Sequence, residues 1–233
     1  MPVKVLGLDT SGYINALGVV DGDRVIAEGR YPAATDSLEQ IVDNIDTTLR
    51  DAGLTLADVD AFGVGLGPGS WTGIRVGVTV GKTLAFSTGK PVCGVSSLDA
   101  LGFVARDYGC FICAVIAVGA GDAVYAGLYR QDNGSIIQVG DYFTGLIPDL
   151  AQRLESPVVL VAKGAKDYAD ALKQHAEIEI TGVEARPYGS AVAALAEKRL
   201  KNGEQDDALA LSPMYLKEST AKAFVNKYAG SRG

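Results

Sequence analysis

Hydrophobic and polar positions follow two periods along the first half of the chain. Short apolar runs with period-two alternation predict strands, and Asp21-Gly22-Asp23 between two of them predicts a β-hairpin turn. Apolar residues at helical spacing predict an amphipathic helix that begins at Ser37 and ends before Gly53. The predicted strands cover residues 3–9, 16–20, 24–31, 61–66 and 91–95, and further helices cover residues 71–87 and start at Ser97.

The same order of elements begins again near residue 111. Strands are predicted at 111–118, 123–130, 135–143, 158–162 and 177–181, and helices at 148–155, 167–176 and 188–202. Such a duplicated unit, three strands followed by β/α elements, is typical of actin, sugar kinases and heat-shock-protein ATPases. We therefore predict an α/β fold of the duplicated actin-like, ribonuclease H-like class, with mixed sheets flanked by helices. Its N-terminal lobe is placed at residues 1–105 and its C-terminal lobe at residues 106–233.

The charge balance is acidic, with a net charge of −7 over 233 residues and a pI near 4.8. This balance argues against unaided binding of nucleic acid, because neutralising phosphates requires a clustered Lys and Arg surface. The chain has 48% hydrophobic and 21% charged residues, which is the composition of a folded protein. No basic leader precedes an apolar stretch and no apolar run reaches about 18 residues, so we expect a cytoplasmic protein without a membrane segment.

The segment Gly65–Gly77 concentrates glycine between a predicted strand and a predicted helix. Its first glycines permit positive φ and close backbone approach, and Ser70 suits the N-cap of the helix. Two interpretations are open: an anion or nucleotide loop, or a tight turn that lets the helix lie close to the sheet. The later segment Gly77–Thr83 resembles a phosphate-binding loop, but its spacing is one residue short and it lies within the helical run. Lys82 is therefore predicted to be an ordinary helix lysine.

Candidate catalytic and metal-binding side chains are few. His175 is the only histidine, so one chain cannot build a two-histidine metal site, and the CxxC motif at Cys110 has no second pair. We therefore predict no metal site and no catalytic residue in this chain. Asp9 ends the first strand and is followed by Thr10 and Ser11, where actin-like ATPases carry a metal-linked acid and a phosphate turn, which makes the three candidate cofactor-binding residues.

The segment Gly67–Gly77 reads GPGSWTGIRVG and resembles the GPGSFTGLRIG signature of the TsaB (YeaZ) family. Further segments are similar to the family in order and spacing, and together they span nearly the whole chain: Leu8–Ser11, the helix start at Ser37, Gly94–Leu98 and Pro213–Lys217. The chain departs from the family pattern at a few positions: Asp36, Trp71, Val118–Ala123 and Lys217.

The resemblance implies a two-lobed actin-like protein that pairs with TsaD and works with the ATPase TsaE. In that family the complex transfers a threonylcarbamoyl group to the adenosine beside the anticodon of tRNA, and TsaD carries the chemistry. The resemblance thus implies a non-catalytic subunit that has no intrinsic cofactor, meets ATP or ADP only in the complex, and contacts tRNA only through the complex. A homodimer is the alternative assembly of the isolated chain. The competing interpretation is a stand-alone actin-like nucleotide-binding enzyme, which would need phosphate turns in both halves.

The resemblance also places the partner interface on the first two helices. The first helix should cover the sheet with one apolar stripe: Leu38, Ile41, Val42, Ile45 and Leu49. Four polar residues are then left to face outward: Gln40, Asp43, Asn44 and Thr47. On the second helix, Gly73, Gly77 and Gly81 form a small-residue ridge that allows close approach of another helix. The ridge suits packing on the protein's own sheet equally well, and the family resemblance favours the partner interface.

Overall fold

The computed structural model describes residues 3–33, 37–119, 121–175, 177, 179–185 and 189–216. The elements of the first half are β1 Lys4–Asp9, β2 Ile14–Asp21, β3 Arg24–Pro32, α1 Ser37–Asp51, β4 Ala61–Gly65, α2 Trp71–Thr88, β5 Val92–Val95 and α3 Ser97–Val104. Those of the second half are β6 Phe111–Ala117, β7 Ala123–Asp132, β8 Ser135–Gln138, β9 Phe143–Leu146, α4 Ile147–Ala151, β10 Val158–Ala162, α5 Ala165–Lys173, β11 Ile180–Glu184 and α6 Gly189–Lys201.

Each half builds its sheet around a central strand in the same way. The first sheet has the strand order β3-β2-β1-β4-β5, with β1 antiparallel to β2 and parallel to β4. The second has the order β11-β10-β6-β7-β8, with β6 antiparallel to β7 and parallel to β10, and β9 also pairs with β7. Helices lie in the connections between the parallel strands, as crossovers require. The predicted duplicated actin-like fold is confirmed.

Two strands of the second half differ from the sequence prediction. The strand predicted at 135–143 is divided into β8 and β9, because β8 pairs with the end of β7 and β9 with its start. The last strand lies at 180–184 rather than 177–181, since β11 pairs in this register with β10. The position of both strands is set by a neighbouring strand, which the local hydrophobic pattern does not contain.

The first sheet is covered by helices on both faces. α1 and α2 pack on one face, where large apolar side chains of β1, β2 and β4 are fully buried. α6 packs on the other face, where glycines stand in the strands. A Cβ on Gly18 would lie 2.2 Å from the Ser190 nitrogen, and one on Gly7 would lie 2.2 Å from the Gly189 carbonyl oxygen. The strands need glycine at these positions because the α6 backbone rests directly on them.

The last helix of each half lies between the two sheets. α6 packs on the first sheet although it belongs to the second half of the chain. α3 belongs to the first half but packs on the second sheet, where Leu98 and Leu101 are buried with Ile112 and Val161. The two helices also contact each other. A division of the chain at residue 105 therefore separates the two sheets. However, the last helix of each half packs on the sheet of the other half.

The outer face of the second sheet is covered by α4 and α5. Leu150 and Leu172 of these helices pack with Phe111 and Leu160 of the sheet. The layers therefore run from α1 and α2 through the first sheet, α6 and α3, and the second sheet to α4 and α5. Within the described ranges, none of the helices combines the length and the apolar character that crossing a membrane requires.

Candidate functional site

The glycine-rich turn between β4 and α2 packs against the turn that follows β1. Gly67 and Gly69 have φ angles of +91° and +155°, and a Cβ on Gly69 would lie 2.3 Å from the Ser11 carbonyl oxygen. The Ser70 N–H donates to the same oxygen at 2.7 Å, and the Ser70 hydroxyl caps α2 by accepting from the Gly73 N–H. Of the two interpretations open from the sequence, these contacts are those of a tight turn that lets the helix lie close to the sheet.

Asp9, Thr10 and Ser11 are buried where the starts of α2 and α3 meet the end of β1. The Asp9 carboxylate accepts from the Ser11 N–H at 2.7 Å through Oδ1 and from the Ser97 hydroxyl at 2.6 Å through Oδ2. The Thr10 hydroxyl donates to the Gly73 carbonyl at 2.6 Å. Because each group is committed to a neighbour, a phosphate bound by this turn would have to displace the start of α2. Phosphate binding by these three residues stays a prediction.

The glycine ridge of α2 faces the protein's own first sheet. A Cβ on Gly73 would lie 2.0 Å from the Thr10 carbonyl oxygen, and one on Gly77 would lie 2.3 Å from the Thr10 hydroxyl. A Cβ on Gly81 would lie 2.3 Å from a Val64 methyl group. No side chain fits at such distances, because the helix axis comes close to β1 and β4. The expectation that these three glycines present a ridge to a partner is therefore corrected, and the alternative of packing on the sheet holds.

The outward face of α1 carries most of the residues that the sequence placed there. Gln40, Asp43 and Thr47 are exposed. Asn44 is half-buried, and its side-chain nitrogen is buried without a hydrogen-bond partner among the described residues. Val42, which was predicted to cover the sheet, is instead 61% exposed. The outward face of this helix is therefore more apolar at its edge than the sequence indicated.

The buried stripe of α1 is rotated relative to the predicted one. Ile41, Ile45 and Leu49 are buried as expected. Thr48 is buried with them, and its hydroxyl lies 3.0 Å from the Tyr31 hydroxyl, which satisfies it. The side chain of the fifth predicted stripe residue, Leu38, lies outside the described part of the structure. Centring the stripe on Ile41, Ile45 and Thr48 moves Val42 to its edge and into solvent.

The start of α2 carries an aromatic stack that joins it to the end of the described chain. The rings of Trp71 and Tyr215 are stacked with centroids 4.4 Å apart. The Arg75 guanidinium lies 4.2 Å from the Trp71 ring centroid and donates through Nε to the Tyr215 hydroxyl at 3.1 Å. Sequence reasoning noted Pro213–Lys217 only as a family motif, and Lys217 lies outside the described residues. Trp71 and Arg75, one helical turn apart, were the available signal in the sequence. Their spacing does not indicate that Arg75 contacts a residue 140 positions away in the chain.

Two cations hold the segment after α6 against the first lobe. Lys82 donates to the carbonyls of Leu209 and Leu211 at 2.8 and 2.9 Å, so the lysine of the apparent phosphate loop is a structural helix residue. Arg199 donates to the Asp206 carboxylate at 2.8 Å. Burial alone would raise the pKa of Asp206, but hydrogen bonds from Arg199 and from the backbone hold it below its usual value. Sequence reasoning missed both anchors: the Lys82 bonds join segments more than 100 residues apart, and the Arg199–Asp206 pair depends on how the chain turns after α6.

The residues considered for metal or redox chemistry lie apart. His175 is exposed after the end of α5. Cys113 is buried, and this burial raises the pKa of its thiol to about 12, whereas Cys110 is exposed. No three His, Cys, Asp or Glu side chains in the described ranges are grouped closely enough to hold a metal ion. Large apolar side chains are exposed on the outward faces of both helices, at Val42 of α1 and at Trp71 and Phe86 of α2.

Comparison with known proteins gives a match to one family model and to named relatives. The family model of TsaD, tRNA N6-adenosine threonylcarbamoyltransferase, matches residues 31–146. The tRNA threonylcarbamoyladenosine biosynthesis protein TsaB of Bacillus subtilis (strain 168) is 34% identical over 137 residues, which are 59% of this chain and 59% of that protein. The match therefore spans less than two thirds of this relative. The protein of the same name from Escherichia coli (strain K12) is 24% identical over 226 residues, covering 94% of this chain and 96% of that protein.

A solved structure matches over most of the chain. YeaZ from Pseudomonas aeruginosa has a TM-score of 0.74 and 26% sequence identity, and the match covers 92% of this chain and 100% of that chain. The region that matches the family model includes the whole of α1 and α2 and extends to the end of β9. The two helices with exposed apolar residues therefore lie within the region that matches the family model.

Proposed function

Because the chain belongs to the TsaB (YeaZ) family, we propose that it is the non-catalytic partner subunit of TsaD in the transfer of a threonylcarbamoyl group to tRNA. The proposed target is the adenosine beside the anticodon. Two relatives are named for the biosynthesis of threonylcarbamoyladenosine in tRNA, which supports this pathway. The match to the TsaD family supports a fold shared with the proposed partner. TsaE as a further component and a cytoplasmic location belong to the same proposal.

The observation that carries the proposal is the outward face of the two helices on the first sheet. We define the helix-pair surface by its exposed residues: Gln40, Val42, Asp43, Thr47, Thr72, Thr79, Thr83 and Phe86. Val42 and Phe86 are 61% and 69% exposed. Apolar side chains that stand among polar ones on a helical surface are typical of a protein–protein interface. Since the glycines of α2 face inward, the proposed contact to TsaD is made by these side chains.

Two features of the chain support a role without chemistry of its own. The single histidine, His175, is exposed on the second lobe and distant in sequence from the Asp9 turn. Both oxygens of Asp9 already accept hydrogen bonds from Ser11 and Ser97. A nucleotide in this chain would have to open that turn, so we place any ATP or ADP in the complex. The net charge of −7 supports tRNA contact through the complex.

The test measures binding of the full chain to TsaD from the same organism by biolayer interferometry. We expect Val42→Glu and Phe86→Ala each to weaken binding at least about tenfold, because they place a charge or a gap in the helix-pair surface. Val25→Glu and Tyr108→Ala are matched controls with 58% and 61% exposure at other places, and they should leave binding unchanged. Thermal unfolding of all four variants should stay close to that of the unmodified chain.

Several outcomes would contradict the proposal, and one would locate the contact of a homodimer. Unchanged TsaD binding by both variants, or an equal loss in both controls, would place the contact elsewhere. Steady hydrolysis of ATP by the isolated chain that is abolished by Asp9→Ala would favour the stand-alone nucleotide-binding enzyme instead. Association of the isolated chain with itself, blocked by Val42→Glu, would show that the homodimer uses the same surface.

A further inference from the structure

A cavity of about 190 Å³ opens between α3 and α6, in the layer between the two sheets. Asp99 of α3 lines it on one side. The other side carries three polar residues of α6 and its end: Lys198, Arg199 and Asn202. Both hydrogen bonds to Asp99 end on Oδ1, from the hydroxyls of Tyr129 and Tyr142 at 2.8 Å each. The second carboxylate oxygen, Oδ2, accepts from none of the described residues.

Asp99 is a largely buried carboxylate without a cation beside it in the described part of the chain. Burial raises its pKa, and the hydrogen bonds from Tyr142 and Tyr129 offset this only in part. Within the described ranges, no Lys or Arg side chain forms an ion pair with it. Removing a carboxylate from water without pairing it with a positive charge is costly. Asp99 can therefore accept a charged hydrogen-bond donor from the cavity.

Two cations lie on the wall opposite Asp99, and they differ in their partners. Arg199 is already paired with Asp206 at 2.8 Å and with Glu204 at 3.1 Å. The Lys198 ammonium donates one hydrogen to the Ser135 hydroxyl at 2.7 Å and pairs with no carboxylate among the described residues. An ammonium group has three donors, so two remain for a ligand. As far as the described residues go, the cavity thus presents an unpaired carboxylate on α3 and an unpaired ammonium on α6.

We propose that this cavity binds a small α-amino acid, with its ammonium group on Asp99 and its carboxylate on Lys198 and the Asn202 amide. A simple amine would be repelled by Lys198 and a simple acid by Asp99, whereas a zwitterion can pair its ammonium with Asp99 and its carboxylate with Lys198. A cavity of about 150 Å³ holds a benzene molecule and drug-sized ligands occupy about 300 Å³ or more. A volume of about 190 Å³ therefore fits an α-amino acid with a short side chain.

The experiment titrates the full chain with three matched probes by heteronuclear NMR: L-alanine, ethylamine and propionate. We expect saturable binding of L-alanine with a millimolar or lower Kd, and binding of the other two at least about tenfold weaker. Asp99→Asn and Lys198→Met should each weaken L-alanine binding at least about tenfold. Asp170→Asn and Lys173→Met, which make the same changes on the exposed side of α5, should not.

The variants keep the result interpretable. Asparagine retains an oxygen for the two tyrosine hydroxyls and Lys198 is exposed, so both proteins should fold, which their NMR spectra will show directly. Absence of saturable L-alanine binding by the unmodified chain up to about 100 mM would overturn the proposal. Equal binding of ethylamine, or unchanged L-alanine binding in either cavity variant, would overturn it as well. None of these outcomes depends on TsaD, so they are separate from the test of the proposed function.

Discussion

α2 and α6 both lie directly on the first sheet through glycine, but on opposite faces and with the glycines distributed differently between helix and strands. For α2 the glycines belong to the helix: Gly73, Gly77 and Gly81. For α6 three of them belong to the strands beneath it, Gly7, Gly18 and Gly63, and one, Gly189, is the first residue of the helix. α2 has a solvent-exposed side that carries Trp71, Arg75 and Phe86, whereas α6 has α3 as a neighbour. Close approach of a helix to a sheet can therefore be provided by either element.

The difference explains which helix is available to a partner. The glycines of α2 face the sheet, and the exposed side of the helix carries a row of residues that includes Arg75, Thr79 and Phe86. α6 lies in the layer between the sheets and contributes to the cavity at Asp99. In this protein, glycines at helical spacing correctly indicated that the helix packs closely on a neighbour. The spacing did not indicate which neighbour that is.

The largest effect is expected for Gly18→Val, which tests the close packing of α6 on the first sheet. Its Cβ would lie 2.2 Å from the Ser190 nitrogen, and a backbone atom cannot move without shifting the helix. We expect the free energy of unfolding in urea to fall by more than about 3 kcal/mol, or the protein not to fold. Gly12→Ala is the control, because its Cβ would meet nothing closer than 3.9 Å, and it should change stability by less than about 0.5 kcal/mol. A Gly18→Val protein as stable as the control would show that the backbone of α6 does not pack directly on Gly18.

A smaller loss is expected for Gly77→Leu, which tests the orientation of α2. The new side chain would displace the Thr10 hydroxyl and its 2.6 Å hydrogen bond to the Gly73 carbonyl. We expect a loss of about 1–3 kcal/mol in urea unfolding. Thr79→Leu, on the exposed side of the same helix, should stay within about 0.5 kcal/mol. If Gly77→Leu kept full stability and lost only TsaD binding, the glycine ridge would face the partner after all.

The smallest effect is expected for Asp99→Asn, in the layer between the sheets. Burial raises the folded-state pKa of Asp99, so the folded protein binds this proton more tightly than the unfolded chain does. Stability of the unmodified protein therefore falls as pH rises from the unfolded pKa of about 3.9 through the raised folded value. The asparagine amide does not titrate, so the variant should have the higher Tm near neutral pH, and the two Tm values should converge toward about pH 3.5. A variant that is less stable at neutral pH would show that the charged carboxylate is matched by a cation.

Much of the candidate site could be predicted from patterns of residues that are close together in the chain. The rest depends on contacts between distant segments, which such patterns do not show. The Ser70 cap, the position of Lys82 within a helix and the exposure of Gln40 were predictable, because each depends on a helix start or a helical period. The anchors of Lys82 and the stack of Trp71 on Tyr215 were not, because they join segments more than 100 residues apart. Asp99 could have been suspected, since it is a lone charge in a short apolar helix.

Hydrophobic period and turn chemistry were sufficient for the order of strands and helices, the hairpin at Asp21-Gly22-Asp23 and the duplicated arrangement, because these depend on residues close together in the chain. The tertiary structure alone decided that Gly77 faces Thr10, that Val42 faces solvent and that the last helix of each half crosses to the other sheet. A helical pattern specifies that a helix has two faces. Which neighbour covers each face depends on the space left between the sheets, and distant parts of the chain set that space.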